Sequence, residues 1–397
     1  MLSRPLTDLK SINDAQTIIK ELLVVMDSWP ETITNGTVMV IERFYDTPLN
    51  DLPSNPSTLN TLSYKLVSAP DFALTRYSVQ HFISFFKGLA QLVDILKSTG
   101  SYQLKTWIDR TEMLLNKPVV SLMKQWEKDK KLPGNEILKF GSYLKKQFKY
   151  EVYELIDIYN RLDAYLSLAV AYKKYDLHFP QFVQAETPFI EAKELFHLLL
   201  HTPVAYDVSL NKERNFLFLT GANMAGKSTF IKAVGVAVYL AHIGMGVPAA
   251  SMQLCLFDGL LSNIQVIDNI IKGESYFFNE VQRIRNTIER ISDGKKWLIL
   301  IDELFKGTNV QDAMKCSTVV IEGLRKMNNA VFILSTHLYE IGEALKQYPN
   351  IQFRYFETHV KDEQLVFSYQ LQEGISNDRL GYLILRREGV VDMLEKL

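Results

Sequence analysis

A glycine-rich segment near the middle of the 397-residue chain has the residues needed to bind a nucleoside triphosphate. It matches the phosphate-loop pattern G-x-x-x-x-G-K-[ST] and reads Gly221-Ala222-Asn223-Met224-Ala225-Gly226-Lys227-Ser228. Glycines permit the tight backbone curvature that turns consecutive N–H groups toward phosphate oxygens. Lys227 can then reach the β- and γ-phosphates, and the Ser228 hydroxyl can ligate Mg²⁺. The segment therefore predicts a triphosphate site with Mg²⁺.

A second segment predicts that the bound nucleotide is hydrolysed. Residues 297–303 form an apolar run that ends in the two acids Asp302 and Glu303. In this Walker B pattern a buried strand delivers the aspartate to the Mg²⁺ shell, and the next glutamate orients or deprotonates the attacking water. The alternative interpretation is an ordinary buried strand with acids at its solvated end. An intact acid pair argues against a non-hydrolysing scaffold.

A third apolar run, 331–336, leads into His337. If this strand joins the same sheet, the imidazole emerges at the nucleotide edge, where it can sense the γ-phosphate. The alternative is an ordinary surface histidine.

The elements that must position these motifs alternate between strands and helices. We predict strands at 214–220, 297–302 and 330–335, helices at 227–243, 276–292, 311–327 and 338–346, and a hairpin over 352–369. This βα rhythm is typical of a wound sheet. The uncharged run 233–250 is long enough for a minimal transmembrane helix, but its glycines and proline favour a helix buried against the sheet.

Residues 1–186 follow a different pattern, with apolar residues spaced three and four apart and few strand signals. We predict an all-helical domain over 1–186 and an α/β domain over 187–397, separated near Pro180 and Pro188. The fold class is thus α+α/β. The aromatic stripe 82–86 is interpreted as core packing rather than a base-stacking platform.

Composition narrows the class of protein. The net charge is −1, so nucleic-acid binding must depend on a local patch rather than on overall charge. Residues 101–150 hold eleven Lys or Arg against five Asp or Glu, which indicates either a solvated helical face or a polyanion contact. Cys255 and Cys316 lack partners at metal-ligand spacing, so we expect buried thiols, no disulfide and no structural zinc. Without a signal peptide at Met1, we expect a cytoplasmic protein and no membrane association.

Three segments together resemble the ATPase domain of the MutS DNA mismatch repair family. They are Thr220–Thr229, whose Asn-Met pair is the specific feature, Asp302–Thr308, and Ser335–His337. The resemblance implies a helical core and lever domain followed by an ABC-type P-loop ATPase domain that binds ATP and Mg²⁺. It also implies a homodimer through the ATPase domains, DNA bound with low sequence specificity, and repair or recombination proteins as candidate partners.

The resemblance assigns two further residues. Ser275, in the segment Gly273-Glu274-Ser275, matches the family's signature element, which would complete the nucleotide site of the partner subunit. Tyr369 falls where the family places a side chain against the adenine. At the facing position, where an aromatic residue is usual, this chain has Pro203 followed by Val204, so we expect an adenine pocket that is looser or built from other residues.

The chain also departs from the family pattern. It begins at the core domain, so we expect it to lack the mismatch-recognition and connector domains; its Phe-x-Glu sequence at 278–280 is a coincidence. Phe305-Lys306 replaces the usual Gly-Arg after Walker B. The leading hypothesis is a MutS-related ATPase that binds DNA and couples its ATP cycle to movement of helical arms, in mismatch repair or related DNA-structure processing. The alternative is an ATP-switched protein-interaction module without direct DNA binding.

Overall fold

The protein combines helices and sheets in two compact units. In a computed structural model the described residues are 4–126, 132–264, 276–361, 364–376, 386 and 389–394. One unit consists of Asp14–Lys173, and the other joins Met1–Asn13 to Lys174–Leu397. This mixed architecture is compatible with the predicted α+α/β class, while a domain boundary near residue 186 stays a prediction.

Among its described residues, the first unit contains helices joined by loops and no strand. Its helices are α1 (Leu9–Val25), α2 (Asn35–Asp46), α3 (Thr58–Val67), α4 (Ala69–Leu96), α5 (Tyr102–Leu115), α6 (Pro118–Gln125), α7 (Gly134–Lys146) and α8 (Lys149–Lys174), with a short 3₁₀ turn at Met26–Ser28. The 28-residue α4 packs against α2, α5, α6 and α7. Phe82, Phe85 and Phe86 of α4 are fully buried, which confirms the aromatic stripe as core packing.

The second unit contains all the strands of the described residues. They are β1 (Gln181–Phe182), β2 (Ile190–Leu195), β3 (Tyr206–Leu210), β4 (Phe216–Gly221), β5 (Ser251–Leu254), β6 (Gly259–Asn263), β7 (Trp297–Asp302), β8 (Ala330–Ser335), β9 (Ile351–Lys361) and β10 (Gln364–Glu373). Its helices are α9 (Lys227–His242), α10 (Tyr276–Ile291), α11 (Val310–Leu324), α12 (Glu340–Leu345) and α13 (Val390–Leu394). The strands and helices predicted after residue 214 and the predicted hairpin are confirmed, with ends shifted by up to a few residues.

Six strands form the sheet that carries the motifs, in the order β10-β9-β4-β8-β7-β6. All neighbours from β9 to β6 are parallel, and only β10 runs antiparallel, as the second strand of the hairpin. Since side chains alternate along β4, Leu217 and Leu219 join the core with α9, whereas Phe216 and Phe218 join the core with α11. The carboxyl ends of β4, β7 and β8 therefore meet at one edge.

A second sheet, with the order β1-β5-β2-β3, was not predicted from the sequence. Within the described residues, no helix is both long enough and apolar enough to cross a membrane. Both cysteines are free thiols: Cys255 is buried as expected, but the expectation is wrong for Cys316, which is only half-buried on α11.

Candidate active site

The phosphate-loop segment lies between β4 and α9, and both of its glycines have left-handed backbone angles. Gly221, the last residue of β4, has φ +137°, and a Cβ there would lie 3.1 Å from the Phe356 carbonyl oxygen. Gly226 has φ +113° and caps the N-terminus of α9. These conformations are strained for residues with side chains, so both positions require glycine. The curved loop leads directly into the N-terminus of α9, where main-chain N–H groups favour anions.

Lys227 opens α9 with an ammonium group held inside the loop. Its Nζ donates hydrogen bonds to the carbonyl oxygens of Gly221 at 2.7 Å and Ala222 at 2.9 Å. The side chain is only 6% exposed. This burial lowers the pKa of Lys227 to about 8, although the charges of Glu303 and Asp302 oppose the shift.

The two predicted Mg²⁺ ligands are in direct contact. The Ser228 hydroxyl donates to Oδ2 of Asp302 at 2.6 Å. The other carboxylate oxygen, Oδ1, accepts a hydrogen bond from the Ser335 hydroxyl at the end of β8. Sequence reasoning missed this role of Ser335, although the parallel register pairs it directly with Asp302. A hydroxyl and a carboxylate so close together are the hard oxygen ligands that Mg²⁺ prefers.

Glu303 lies just past β7 in a left-handed conformation, with φ +67°. Its carboxylate oxygens lie 3.0 Å from His337 Nε2 and 3.0 Å from Lys306 Nζ. Burial by itself would raise the pKa of Glu303, but the hydrogen bonds and charges of His337 and Lys306 outweigh it and lower the pKa to about 2. The Glu303 side chain is therefore a carboxylate held between two nitrogen donors.

His337 lies between the Glu303 carboxylate and the Lys227 ammonium. Its Nε2 lies 3.0 Å from Glu303 and 3.4 Å from the Lys227 ammonium. One ring nitrogen cannot donate to the carboxylate and accept from the ammonium at the same time. The shorter contact favours a protonated Nε2 that donates to Glu303, because the Lys227 ammonium also has two carbonyl acceptors.

Lys227, Ser228, Glu303 and His337 line one cavity of about 490 Å³. Its walls include the loop residues and the residues that follow β7 and β8; its lining is Leu200, Thr202, Val204, Tyr206, Ala222, Asn223, Met224, Gly226, Lys227, Ser228, Thr229, Glu303, His337 and Tyr369. Ala225 is buried beneath the loop. Tyr369 is 43% exposed and stacks against Phe367 with ring centres 6.1 Å apart. Val204, but not Pro203, lines the cavity together with Tyr369.

Two residues of α10 contact the loop that follows Walker B, and sequence reasoning missed both contacts. The Glu280 carboxylate accepts the main-chain N–H groups of Lys306 and Gly307, each at 3.1 Å. The Phe277 ring lies 5.6 Å from the ring of Phe305. Ser275, the predicted signature residue, lies outside the described residues, together with Gly273 and Glu274.

The basic segment 101–150 supplies several contacts within the helical unit. Lys145 donates to the carbonyl oxygens of Phe44, Tyr45 and Thr47 near the end of α2. Arg110 forms a two-point ion pair with Glu154. Part of the local excess of positive charge thus stabilises the fold. Lys128, Lys130 and Lys131, the densest part of the segment, lie outside the described residues.

The part of the chain that carries the three motifs is similar in sequence to known proteins. Residues 217–393 match the family model of MutS domain V. The chain is 31% identical over 239 residues to human MutS protein homolog 4, which covers 57% of this chain and 25% of that protein. It is 33% identical over 183 residues to the DNA mismatch repair protein MutS of Geobacillus sp. (strain WCH70), covering 45% of this chain and 21% of that protein. The MutS protein of Oceanobacillus iheyensis shows 33% identity over 183 residues, covering 45% and 20%. The matched segment spans only a fifth to a quarter of these relatives.

Proposed function

Because the chain belongs to the MutS family, we propose that it hydrolyses ATP in a DNA-associated process related to mismatch repair. One observation carries the proposal: Lys227, Ser228, Glu303 and His337, from three separate segments, line one cavity, and Asp302 is hydrogen-bonded to Ser228 at its edge. In this proposal the six-stranded sheet is an ABC-type P-loop ATPase fold, and 1–186 and 187–397 are its helical and ATPase domains.

Each side chain takes a role that its position supports. The Lys227 ammonium neutralises the β- and γ-phosphates, and main-chain N–H groups of loop 221–226 hold their oxygens. Ser228 and Asp302 would hold Mg²⁺, and the bound ion would supply charge neutralisation at the phosphates. Tyr369 and Val204 border the space for the adenine. Ser275 completes the site of a partner subunit in a homodimer; the support for this role is the resemblance of its segment to the family's signature element, not its position.

Glu303 acts on the attacking water. A carboxylate with a pKa of about 2 is a weak base, so in the described arrangement Glu303 orients the water more effectively than it removes a proton. His337, hydrogen-bonded to Glu303 and near Lys227, links the position of the carboxylate to the γ-phosphate. Release of either nitrogen donor would raise the pKa of Glu303 and make it a stronger base.

The test is the change Glu303→Gln. The neutral amide loses the negative charge and one of the two acceptor oxygens that orient the attacking water, so turnover should fall by about 10² or more while ATP binding persists. Glu343→Gln is the matched control, because Glu343 lies on the exposed surface of α12 and pairs only with the exposed Lys346 among the contacts described. Hydrolysis by Glu303→Gln at the wild-type rate would show that the catalytic assignment is wrong.

DNA binding is a separate part of the proposal, supported by the names of the relatives and by the basic segment. Binding through phosphates should weaken steeply between 50 mM and 200 mM salt, by roughly 10³ if about six phosphates are contacted. The experiment compares duplex, mismatched duplex and branched DNA, each with and without ATP. Charge reversal of Lys128, Lys130 and Lys131 should abolish binding. The control reverses three exposed lysines elsewhere: Lys97, Lys173 and Lys346.

A second candidate is an ATP-switched protein-interaction module that does not bind DNA itself. The observation in its favour is that Lys145, Lys146 and Arg110 of the basic segment are engaged within the protein. An absence of DNA binding at 50 mM salt, with and without ATP, would favour this candidate. Glu303→Gln would still lower ATP turnover.

A further inference from the structure

The buried carboxylate of Glu280 holds the loop that follows Glu303. Glu280 lies on α10 and is only 6% exposed. Its Oε1 accepts the N–H of Lys306 and its Oε2 accepts the N–H of Gly307. Two charge-assisted hydrogen bonds to consecutive amides fix both the position and the orientation of that stretch of backbone. In the protein interior such bonds are stronger than in water.

A second contact ties the same loop to the same helix. Phe305 has φ +55°, a left-handed backbone conformation that residues other than glycine rarely adopt. Its ring is 4% exposed and packs against Phe277 at a centre-to-centre distance of 5.6 Å. Burial of this ring against α10 compensates for the unfavourable backbone conformation. Loop 303–307 thus has its geometry imposed by α10.

The consequence reaches the reacting groups through Lys306. The loop backbone that Glu280 fixes carries the Lys306 ammonium to 3.0 Å from the Glu303 carboxylate. Among the described residues, the other charged or titratable groups around Glu303 are His337 at 3.0 Å, the Lys227 ammonium and the adjacent Asp302. Unlike His337, Lys227 and Asp302, Lys306 is itself part of loop 303–307, so its position depends on that loop.

We propose that Glu280 is a positioning residue for ATP hydrolysis: by fixing loop 303–307 it sets the Lys306–Glu303 contact and hence the orientation of the water-activating carboxylate. The inference rests on the proposed ATPase function. Glu280 is not among the residues that line the cavity, so its effect should appear in kcat rather than in the KM for ATP. Any effect must also pass through Glu303.

The experiment is a double-mutant cycle on the full chain. Glu280→Gln replaces one acceptor oxygen by an N–H₂ donor, so one amide loses its partner. We expect kcat to fall about 10-fold through misorientation of the carboxylate, with the KM for ATP within about twofold of the wild-type value. In the Glu303→Gln background, measured by single turnover, the same change should have no further effect on the rate. Glu289→Gln is the matched control, on the same helix but exposed and paired with Arg285, and should leave kcat unchanged.

Several results would overturn the inference. An unchanged kcat for Glu280→Gln, or an equal loss of rate in the wild-type and Glu303→Gln backgrounds, would show that Glu280 does not act through Glu303. If Glu280→Gln fails to fold, Phe277→Leu loosens the same loop without leaving a buried amide unpaired, and the same non-additivity is required of it. A wild-type protein without ATPase activity would overturn both this inference and the proposed function, whereas an active wild type with additive variants overturns only the inference.

Discussion

The low pKa of Lys227 predicts that ATP affinity depends on pH in a range where lysine is ordinarily insensitive. The ammonium is buried, and this burial lowers its pKa to about 8. Above pH 8 most molecules therefore carry a neutral amine at the position proposed to contact the phosphates. Bound phosphate favours the charged form, so the pKa rises in the complex and binding takes up a proton.

The magnitude follows from the two protonation states. With a pKa of about 8 in the free protein, roughly 1 molecule in 11 is protonated at pH 9, against about 10 in 11 at pH 7. Affinity should thus fall about 10-fold from pH 7 to pH 9, or about 1.4 kcal/mol. Binding at pH 8 should take up about half a proton. A lysine with the ordinary pKa of about 10.4 would lose only about 4% of its affinity by pH 9.

Titration calorimetry with ATP and Mg²⁺, in pairs of buffers with different ionisation enthalpies, measures both quantities from pH 7 to 9.5. Lys227→Arg is the control: guanidinium stays charged throughout this range, so its affinity should be weaker but independent of pH. If wild-type affinity stays constant up to pH 9.5 and no proton is taken up, burial does not shift Lys227 as described and the reasoning fails.

Three further predictions concern residues around the site and in the core. Ser335→Ala removes a hydrogen bond to Asp302. In a Mg²⁺ titration of ATPase activity, the Mg²⁺ concentration needed for half-maximal activity should therefore rise about 10-fold. Gly221→Ala places a Cβ 3.1 Å from the Phe356 carbonyl oxygen at φ +137°, and should lower the free energy of unfolding by at least about 1 kcal/mol in urea titrations. Buried His242 bonds the Val238 carbonyl and the Phe257 N–H, and burial lowers its pKa. Stability present above pH 6.5 should be lost as the pH falls below 6.5; in His242→Gln this dependence should be weaker in urea titrations from pH 5.5 to 7.5.

The sequence allowed prediction of the strands that are buried on both faces. β7 and β8 were predicted with the observed ends because each is a continuous apolar run, and helices cover both sides of the sheet. β2 was missed because its Ile190–Leu195 sequence alternates imperfectly between buried and exposed side chains. Its register with β3 shifts between Ala192 and Leu195, and Glu194 has φ +52°. Such irregularity breaks the period of two on which strand prediction depends.

For the site, residues in continuous motifs could be predicted, whereas contacts set by pairing across the sheet could not. The motifs place Lys227 and Asp302 near each other because strand ends meet at one edge. The hydrogen bond of Ser335 to Asp302 depends on which residue of β8 lies opposite the last residue of β7. The contact of Glu280 depends on how α10 packs beside the Walker B loop, which local sequence does not encode.

Backbone strain is concentrated around the cavity, and its distribution explains why α10 matters there. Among the described residues, six residues other than glycine have left-handed φ angles. Four of them line the cavity or adjoin it: Met224, Glu303, Phe305 and Tyr369. Each such residue costs about 1–3 kcal/mol, so surrounding contacts must hold it in place. For Phe305 those contacts come from α10, through Phe277 and the Glu280 hydrogen bonds. A displacement of α10 would remove the contacts that hold loop 303–307 in its strained form. Because the same loop carries Lys306, such relaxation would withdraw a cation from Glu303 and raise the pKa of its carboxyl group, so the Lys306–Glu303 contact depends on the packing of α10.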